Sequence, residues 1–133
     1  MITLTDRVSI LDLDLASWDG DAYVTVKVNS RGYCGENDLH ILAGDFRQFC
    51  SSLISLQKNL KGSATLTSIH PEELFIEIKP FGSLGHISVL GKFGNHISTS
   101  HSSNWHSVEF GFEIEPQQLN MAVKAEWVKK YSK

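Results

Sequence analysis

Three of the six histidines share one short segment, and histidine is a common metal ligand. His96, His101 and His106 are spaced by five residues in a stretch rich in serine and asparagine, and His86 precedes them. Zinc requires three or four nitrogen or sulfur ligands that converge in space. A spacing of five inside a loop fixes no such geometry, and the segment matches no metal-binding motif. We interpret it as polar surface, and we keep a small metal-binding protein or enzyme using the His96–His106 region as the alternative.

The two cysteines, Cys34 and Cys50, provide neither a disulfide framework nor a set of zinc ligands. Cys50 falls on an apolar helical stripe, so we expect it to be a small core residue. Cys34 lies between two glycines in a segment rich in turn residues. A reactive cysteine needs an electropositive setting, which the neighbouring residues do not indicate, and no nucleophile-elbow motif is present. We therefore predict a protein without catalytic residues, metal or cofactor.

The acidic residues are concentrated in the first half of the chain. Residues 1–50 carry eight acids and four bases, whereas the remainder carries seven acids and eight bases. Trp18, Asp19 and Asp21 lie in one predicted turn, and Glu36 and Asp38 lie in a second turn-rich segment. We predict that these five residues form a binding face for a basic protein partner. Solvated turns are the simpler alternative, because aspartate is common in turns for backbone reasons.

Length and composition limit the class of protein further. A chain of 133 residues is predicted to form a single domain over residues 1–133. A net charge of −3 gives no support to a nucleic-acid partner, which requires a basic face. The first residues lack the pattern of a signal peptide, and no apolar run approaches the length of a membrane span. We expect a cytoplasmic protein with no membrane partner, and nothing indicates its oligomeric state.

Most of the chain alternates apolar and polar residues with a period of two, which is the pattern of half-buried strands. The alternating or short apolar runs cover residues 11–15, 24–28, 39–42, 64–69, 74–78, 86–93 and 105–114. The connections between them are short and rich in turn residues. Short connections favour antiparallel pairing of neighbouring strands.

Helical spacing appears in two segments, residues 45–61 and 116–130. In the first, apolar residues recur at intervals of three and four, Asp45 is placed to cap the first turn, and Gly62 follows the predicted end. The second begins at Pro116, since proline is tolerated at the first helical position. The pattern predicts an α+β fold, with an antiparallel sheet or split sandwich of about seven strands and two helices on one side.

Four segments contain glycines, turn residues and strand patterns in an order that is similar to that of one known family. They are Gly32-Tyr33-Cys34-Gly35-Glu36-Asn37-Asp38, residues 62–74, Leu84-Gly85-His86-Ile87 and residues 110–119. With residues between them, they cover about 20–120. They resemble the WapI-like immunity proteins, a family of small bacterial proteins that are partners of secreted toxins.

This resemblance implies a non-enzymatic protein that binds and neutralises a cognate toxin in the producing cell. It transfers no active-site residues, because the matching motifs consist of glycines, caps and strand patterns. A third interpretation, a plain structural or oligomerisation module, is left open by the sequence.

Overall fold

The computed structural model describes residues 1–132, which form eight strands and three helices. In chain order these are β1 Ile2–Thr5, β2 Ser9–Trp18, β3 Ala22–Ser30, β4 Tyr33–Ile41, α1 Ala43–Asn59, β5 Ala64–Thr67, β6 Leu74–Phe81, β7 His86–Ser98, β8 Ser103–Ile114, α2 Gln117–Ala122 and α3 Glu126–Tyr131. The strands form two antiparallel sheets of four, in the orders β1-β2-β3-β4 and β5-β6-β7-β8. We call these the N-terminal sheet and the C-terminal sheet. The predicted α+β class is confirmed, with eight strands rather than about seven.

Alternation along each strand buries one face of each sheet. On β3, Val24, Val26 and Val28 are buried, whereas Lys27 is exposed. The inner faces and the three helices contribute to one cluster of buried apolar residues. Within it α1 packs against β5 and α3, α2 packs against β1, and β4 lies close to β7 and β8.

The prediction of a turn-rich segment over residues 31–38 is wrong for all but its first two residues. Arg31 and Gly32 form the turn, with φ angles of 53° and 88°, as a two-residue hairpin loop of type I′ requires. From Tyr33 onward the chain pairs with β3, so that Glu36 lies opposite Lys27 and Asp38 opposite Thr25. Glycine and asparagine have low strand propensity, but pairing along a whole neighbouring strand overrides that local preference.

Strand β1 has no counterpart among the predicted strands, because a run of four residues is too short to show a clear period. It completes the N-terminal sheet by pairing with β2, where Leu4 lies opposite Leu11. Its Thr5 binds Gln118 of α2 through both backbone groups, at 2.8 Å and 2.5 Å. The N-terminal sheet is therefore tied directly to the C-terminal helices.

The first predicted helix is confirmed with shifted ends and different capping groups. It begins at Ala43 rather than at residue 45, so Asp45 lies in the first turn and does not cap it. Its last turn closes at Leu60, which adopts the left-handed conformation with φ 53°, two residues before the glycine expected to end the helix.

The predicted helix 116–130 is divided into α2 and α3 by a break at residues 123–125. Ala125 is extended, with ψ 131°, so the helical hydrogen bonds do not continue through it. This change of direction accompanies the burial of Trp127, Val128 and Tyr131 against the rest of the core.

Candidate partner-binding surface

Asp21, one of the five predicted binding residues, joins three elements of the fold. Its carboxylate accepts a hydrogen bond from the backbone N–H of Ala43 and lies 2.9 Å from Nε2 of His40. The hydrogen bond with His40, the one from Ala43 and the nearby imidazole lower the pKa of Asp21, in opposition to partial burial. The Ala43 amide lies at the start of α1, where it has no hydrogen-bond acceptor within the helix. Asp21 therefore caps that helix from a distant part of the sequence.

Trp18, the predicted aromatic of the binding face, packs into the edge of the core. Its ring centroid lies 4.3 Å from that of Tyr131 in a stacked arrangement and 6.1 Å from that of Phe46. The Arg47 guanidinium lies over the same ring, 5.2 Å from its centroid. The indole therefore holds α3 against α1 and the N-terminal sheet, and only part of it faces solvent.

Glu36 and Asp38 project from β4 onto the outer face of the N-terminal sheet, where both are exposed. The register places two further carboxylates on that face, since Asp12 pairs with Lys27 and Asp14 pairs with Thr25. We call Asp12, Asp14, Lys27, Glu36 and Asp38 the acidic outer face. Strand alternation in residues 11–15 already indicated that Asp12 and Asp14 face solvent, but strand order was needed to place them beside Glu36 and Asp38.

Few contacts neutralise the carboxylates of the acidic outer face. Lys27 Nζ lies 3.9 Å from Glu36, and the α-amino group of Met1 lies 3.6 Å from Asp14. Hydroxyl groups donate to the other two, from Thr25 to Asp38 at 2.6 Å and from Thr3 to Asp12 at 2.7 Å. The four carboxylates outnumber the two cationic groups beside them, so this face remains a source of negative potential.

Asp19 is exposed in the turn between β2 and β3, and its N–H donates to the backbone carbonyl of Asp21 at 3.1 Å. The structure therefore separates the five predicted residues into two groups. Glu36, Asp38 and Asp19 are exposed to solvent, whereas Asp21 and Trp18 are partly buried by their contacts with α1 and α3.

The histidine segment forms a hairpin arm, residues 95–106, at the far end of β7 and β8. His96 pairs with Trp105 and His106 pairs with Asn95, so these two histidines project from opposite faces of the ribbon. His101 lies in the turn at the tip. Within residues 1–132 no group of three or more His, Cys, Asp or Glu side chains is placed to hold a metal ion. In this hairpin, the spacing of five residues places the three imidazole rings apart from one another.

A cleft of about 200 Å³ lies between β4 and the base of the arm. Cys34, Glu36 and Asn37 line one side, and Asn95 and His106 line the other.

The two cysteines differ in exposure. Cys34 is exposed in this cleft, whereas Cys50 is buried as predicted. Burial raises the pKa of the Cys50 thiol to about 12.

Comparison with protein-family models finds a match to the Immunity protein WapI-like family over residues 6–129. The chain belongs to this family. The matched range extends beyond the resemblance seen at residues 20–120 and includes β2 to β8, α1, α2 and part of α3, but not β1. Comparisons with curated proteins and with solved structures gave no match.

Membership of the WapI-like family confirms the resemblance drawn from the four segments. It points to a role in neutralising a toxin, and therefore to a surface that binds a protein. In the part of the chain that the structure describes, no helix has the length and apolar character needed to cross a membrane.

Proposed function

We propose that this protein is a non-enzymatic immunity protein that binds a cognate bacterial toxin in the cytoplasm of the producing cell and blocks its activity. The acidic outer face is the proposed docking surface, and a basic toxin domain, such as that of a nuclease, is the proposed partner. Asp19, at the neighbouring turn, is included in this surface. The observation that carries the proposal is the placement of Asp12, Asp14, Glu36 and Asp38 on one exposed face with Lys27.

Binding alone is sufficient for such a function, because a bound protein can cover a catalytic surface without reacting with it. Complementary charge raises the rate of encounter by about 10- to 1000-fold in favourable cases. A fast encounter suits a protein that must capture a harmful enzyme before it acts. The family match supports the role, and the charge distribution supports the choice of surface.

Reversing two charges of the acidic outer face provides the test. The variant Glu36→Lys/Asp38→Lys, and a second variant Asp19→Lys/Asp38→Lys, would be expressed in cells that also produce the cognate toxin domain, identified first by co-purification with this protein from its native host. We expect loss of protection and binding to the purified toxin domain that is about tenfold weaker or more.

The matched control is Glu109→Lys/Glu113→Lys on the outer face of the C-terminal sheet. Both glutamates are exposed on β8, so the change in net charge, the residue type and the strand environment are closely similar. We expect this control to protect cells fully. Equal loss of protection by the control and by Glu36→Lys/Asp38→Lys, with unchanged thermal stability, would show that net charge matters and that this face does not. Full protection by both Glu36→Lys/Asp38→Lys and Asp19→Lys/Asp38→Lys would remove the surface from the proposal.

A further inference from the structure

One edge of the N-terminal sheet has backbone groups that no other strand uses. In an antiparallel pair, residues alternate between those that bond to the neighbouring strand and those whose N–H and C=O turn away from it. The two-residue turn makes Ser30 and Tyr33 the first bonded pair of β3 and β4. It follows that Cys34, Glu36, Asp38 and His40 turn their backbone groups away from β3. The hydrogen bond from the N–H of Ile69 to the carbonyl of His40, at 2.9 Å, confirms this assignment.

Two of these four residues have a hydrogen-bond partner within the chain for one of their backbone groups. Ile69 covers the edge at His40, and the side-chain oxygen of Asn37 accepts from the N–H of Asp38 at 2.9 Å. Within residues 1–132, the N–H and C=O groups of Cys34 and Glu36 have no partner in the protein. An uncovered edge of this kind is a template for pairing with a further strand.

The open part of the edge faces the cleft of about 200 Å³ at the base of the arm. Phe93 and Val108 lie among the residues that line it, and Val108 comes so close that a Cβ at Gly35 would lie 2.9 Å from its Cγ1. The residues of the arm wall, Asn95, His106 and Ser107, belong to a stretch from 93 to 108 that contains no Asp, Glu, Lys or Arg. The cleft therefore combines free backbone groups and the Glu36 carboxylate on the β4 side with polar, uncharged side chains on the arm side.

We propose that an extended, basic segment of the protein partner occupies this cleft and adds to β4 as a fifth strand of the N-terminal sheet. Main-chain hydrogen bonds to Cys34 and Glu36 would supply the pairing, as in other cases of strand addition. The inference rests on the proposed function for the existence of a protein partner. It specifies how that partner docks beside the acidic outer face.

Charge determines the chemistry of this segment. Residues that pair with Glu36 and Asp38 project onto the acidic outer face, where lysine or arginine is favoured as a cross-strand neighbour. The alternate positions face the inner side of the sheet, near Phe93 and Val108, where a small apolar residue fits. Two copies of this chain joined by their β4 edges would instead place their Glu36 and Asp38 side chains next to each other, which like-charge repulsion disfavours. A basic segment of another protein is therefore the proposed occupant.

A synthetic peptide of eight alternating lysine and valine residues is the probe, used with the full chain. Amide hydrogen exchange measured by NMR reports on pairing directly, because a hydrogen-bonded amide exchanges slowly. We expect saturating peptide to slow the exchange of the Cys34 and Glu36 amides by about tenfold or more. One control peptide carries backbone N-methyl groups on its lysine residues, which block pairing. A second control peptide has glutamate in place of lysine. We expect neither to slow these amides.

Substitutions at the edge separate the backbone from the side chain. Cys34→Pro removes the edge N–H, whereas Cys34→Ala keeps it, and proline is tolerated where an edge N–H faces away from the sheet. Thr3→Pro makes the same change on the opposite edge strand, since Thr3 turns away from β2 as Thr5 does. We expect only Cys34→Pro to weaken peptide binding, by about tenfold, with all three variants folded.

Equal binding of the N-methylated peptide, no binding of the lysine–valine peptide, or unchanged exchange at Cys34 and Glu36 would each overturn the inference. Protein-concentration-dependent protection of these amides without peptide would assign the edge to a second copy and would also overturn it. The two proposals fail separately. Peptide pairing in a protein that gives cells no protection removes the proposed function, whereas protection that depends on the acidic outer face without peptide pairing removes only this inference.

Discussion

At the scale of single residues, Asp21 shows why a charged residue in a turn can be misassigned. Its partners, His40 and Ala43, are 19 and 22 residues away in the chain. No local pattern indicates that the start of α1 will meet the turn between β2 and β3. Asp19, in the same turn, remains exposed, although in sequence the two residues look equivalent.

The first prediction is that Asp21→Asn lowers the melting temperature at neutral pH by a few degrees, because a neutral amide binds His40 and the helix start less well. The pKa of Asp21 is lowered from its ordinary value of 3.8. The stabilisation is thus present above the pKa of the unfolded chain and is lost as pH falls through the folded value. Thermal melts at several pH values should show the difference from the wild type narrowing below about pH 3.8. Asp19→Asn is the control, and an equal effect there would contradict the assignment.

The second prediction concerns the two thiols. Cys34 is exposed, whereas burial raises the pKa of Cys50 to about 12 and leaves it protonated and inaccessible. We expect Ellman's reagent at pH 8 to modify one thiol rapidly in the native protein and two in denaturant. Cys34→Ala should abolish the rapid reaction, and Cys50→Ala should retain it. A rapid reaction that survives in Cys34→Ala would show that the core around α1 opens.

At the scale of elements, the sequence predicts those parts of the fold whose pattern is local. The stripe of α1 and the alternation of β3 and β8 are visible in the chain itself. The missed features depend on distant contacts: β4 is a strand because β3 pairs with it, and α1 begins where Asp21 reaches it. The same limit applies to the candidate site, because grouping Asp12 and Asp14 with Glu36 and Asp38 requires the strand order.

Gly94 provides a prediction at the base of the arm, where β7 and β8 approach closely. A Cβ there would lie 2.0 Å from the backbone oxygen of His106 and 2.6 Å from Cα of Ser107, so the ladder must shift. We expect Gly94→Ala to reduce the free energy of unfolding by about 1–3 kcal/mol and to increase amide exchange in the arm.

The control for Gly94→Ala is Gly44→Ala in the first turn of α1. A Cβ at Gly44 meets nothing within 4 Å, and alanine is favoured in helices, so this variant should be as stable as the wild type or more stable. Urea denaturation of both proteins measures the difference. If Gly94→Ala is no less stable than Gly44→Ala, the close approach of the two strands is not a constraint on the fold.

At the scale of the whole molecule, the chain repeats one arrangement, four antiparallel strands followed by helix, but the two halves differ in surface. The outer face of the N-terminal sheet carries Asp12, Asp14, Glu36 and Asp38 with Lys27. The outer face of the C-terminal sheet mixes Glu77, Glu109 and Glu113 with Lys79 and Lys92. An immunity protein that faces a basic toxin would use the first face, which also adjoins the free edge of β4.

The most direct test is the salt dependence of association between this protein and the toxin domain that co-purifies with it from its native host. Raising the salt concentration from about 0.05 M to about 0.5 M screens charges beyond roughly 4 Å, so the association rate of the wild type should fall by about tenfold or more. Glu36→Lys/Asp38→Lys should start slower and lose most of this dependence, whereas Glu109→Lys/Glu113→Lys should retain most of it. A salt dependence unchanged by Glu36→Lys/Asp38→Lys would contradict the acidic outer face as the docking surface.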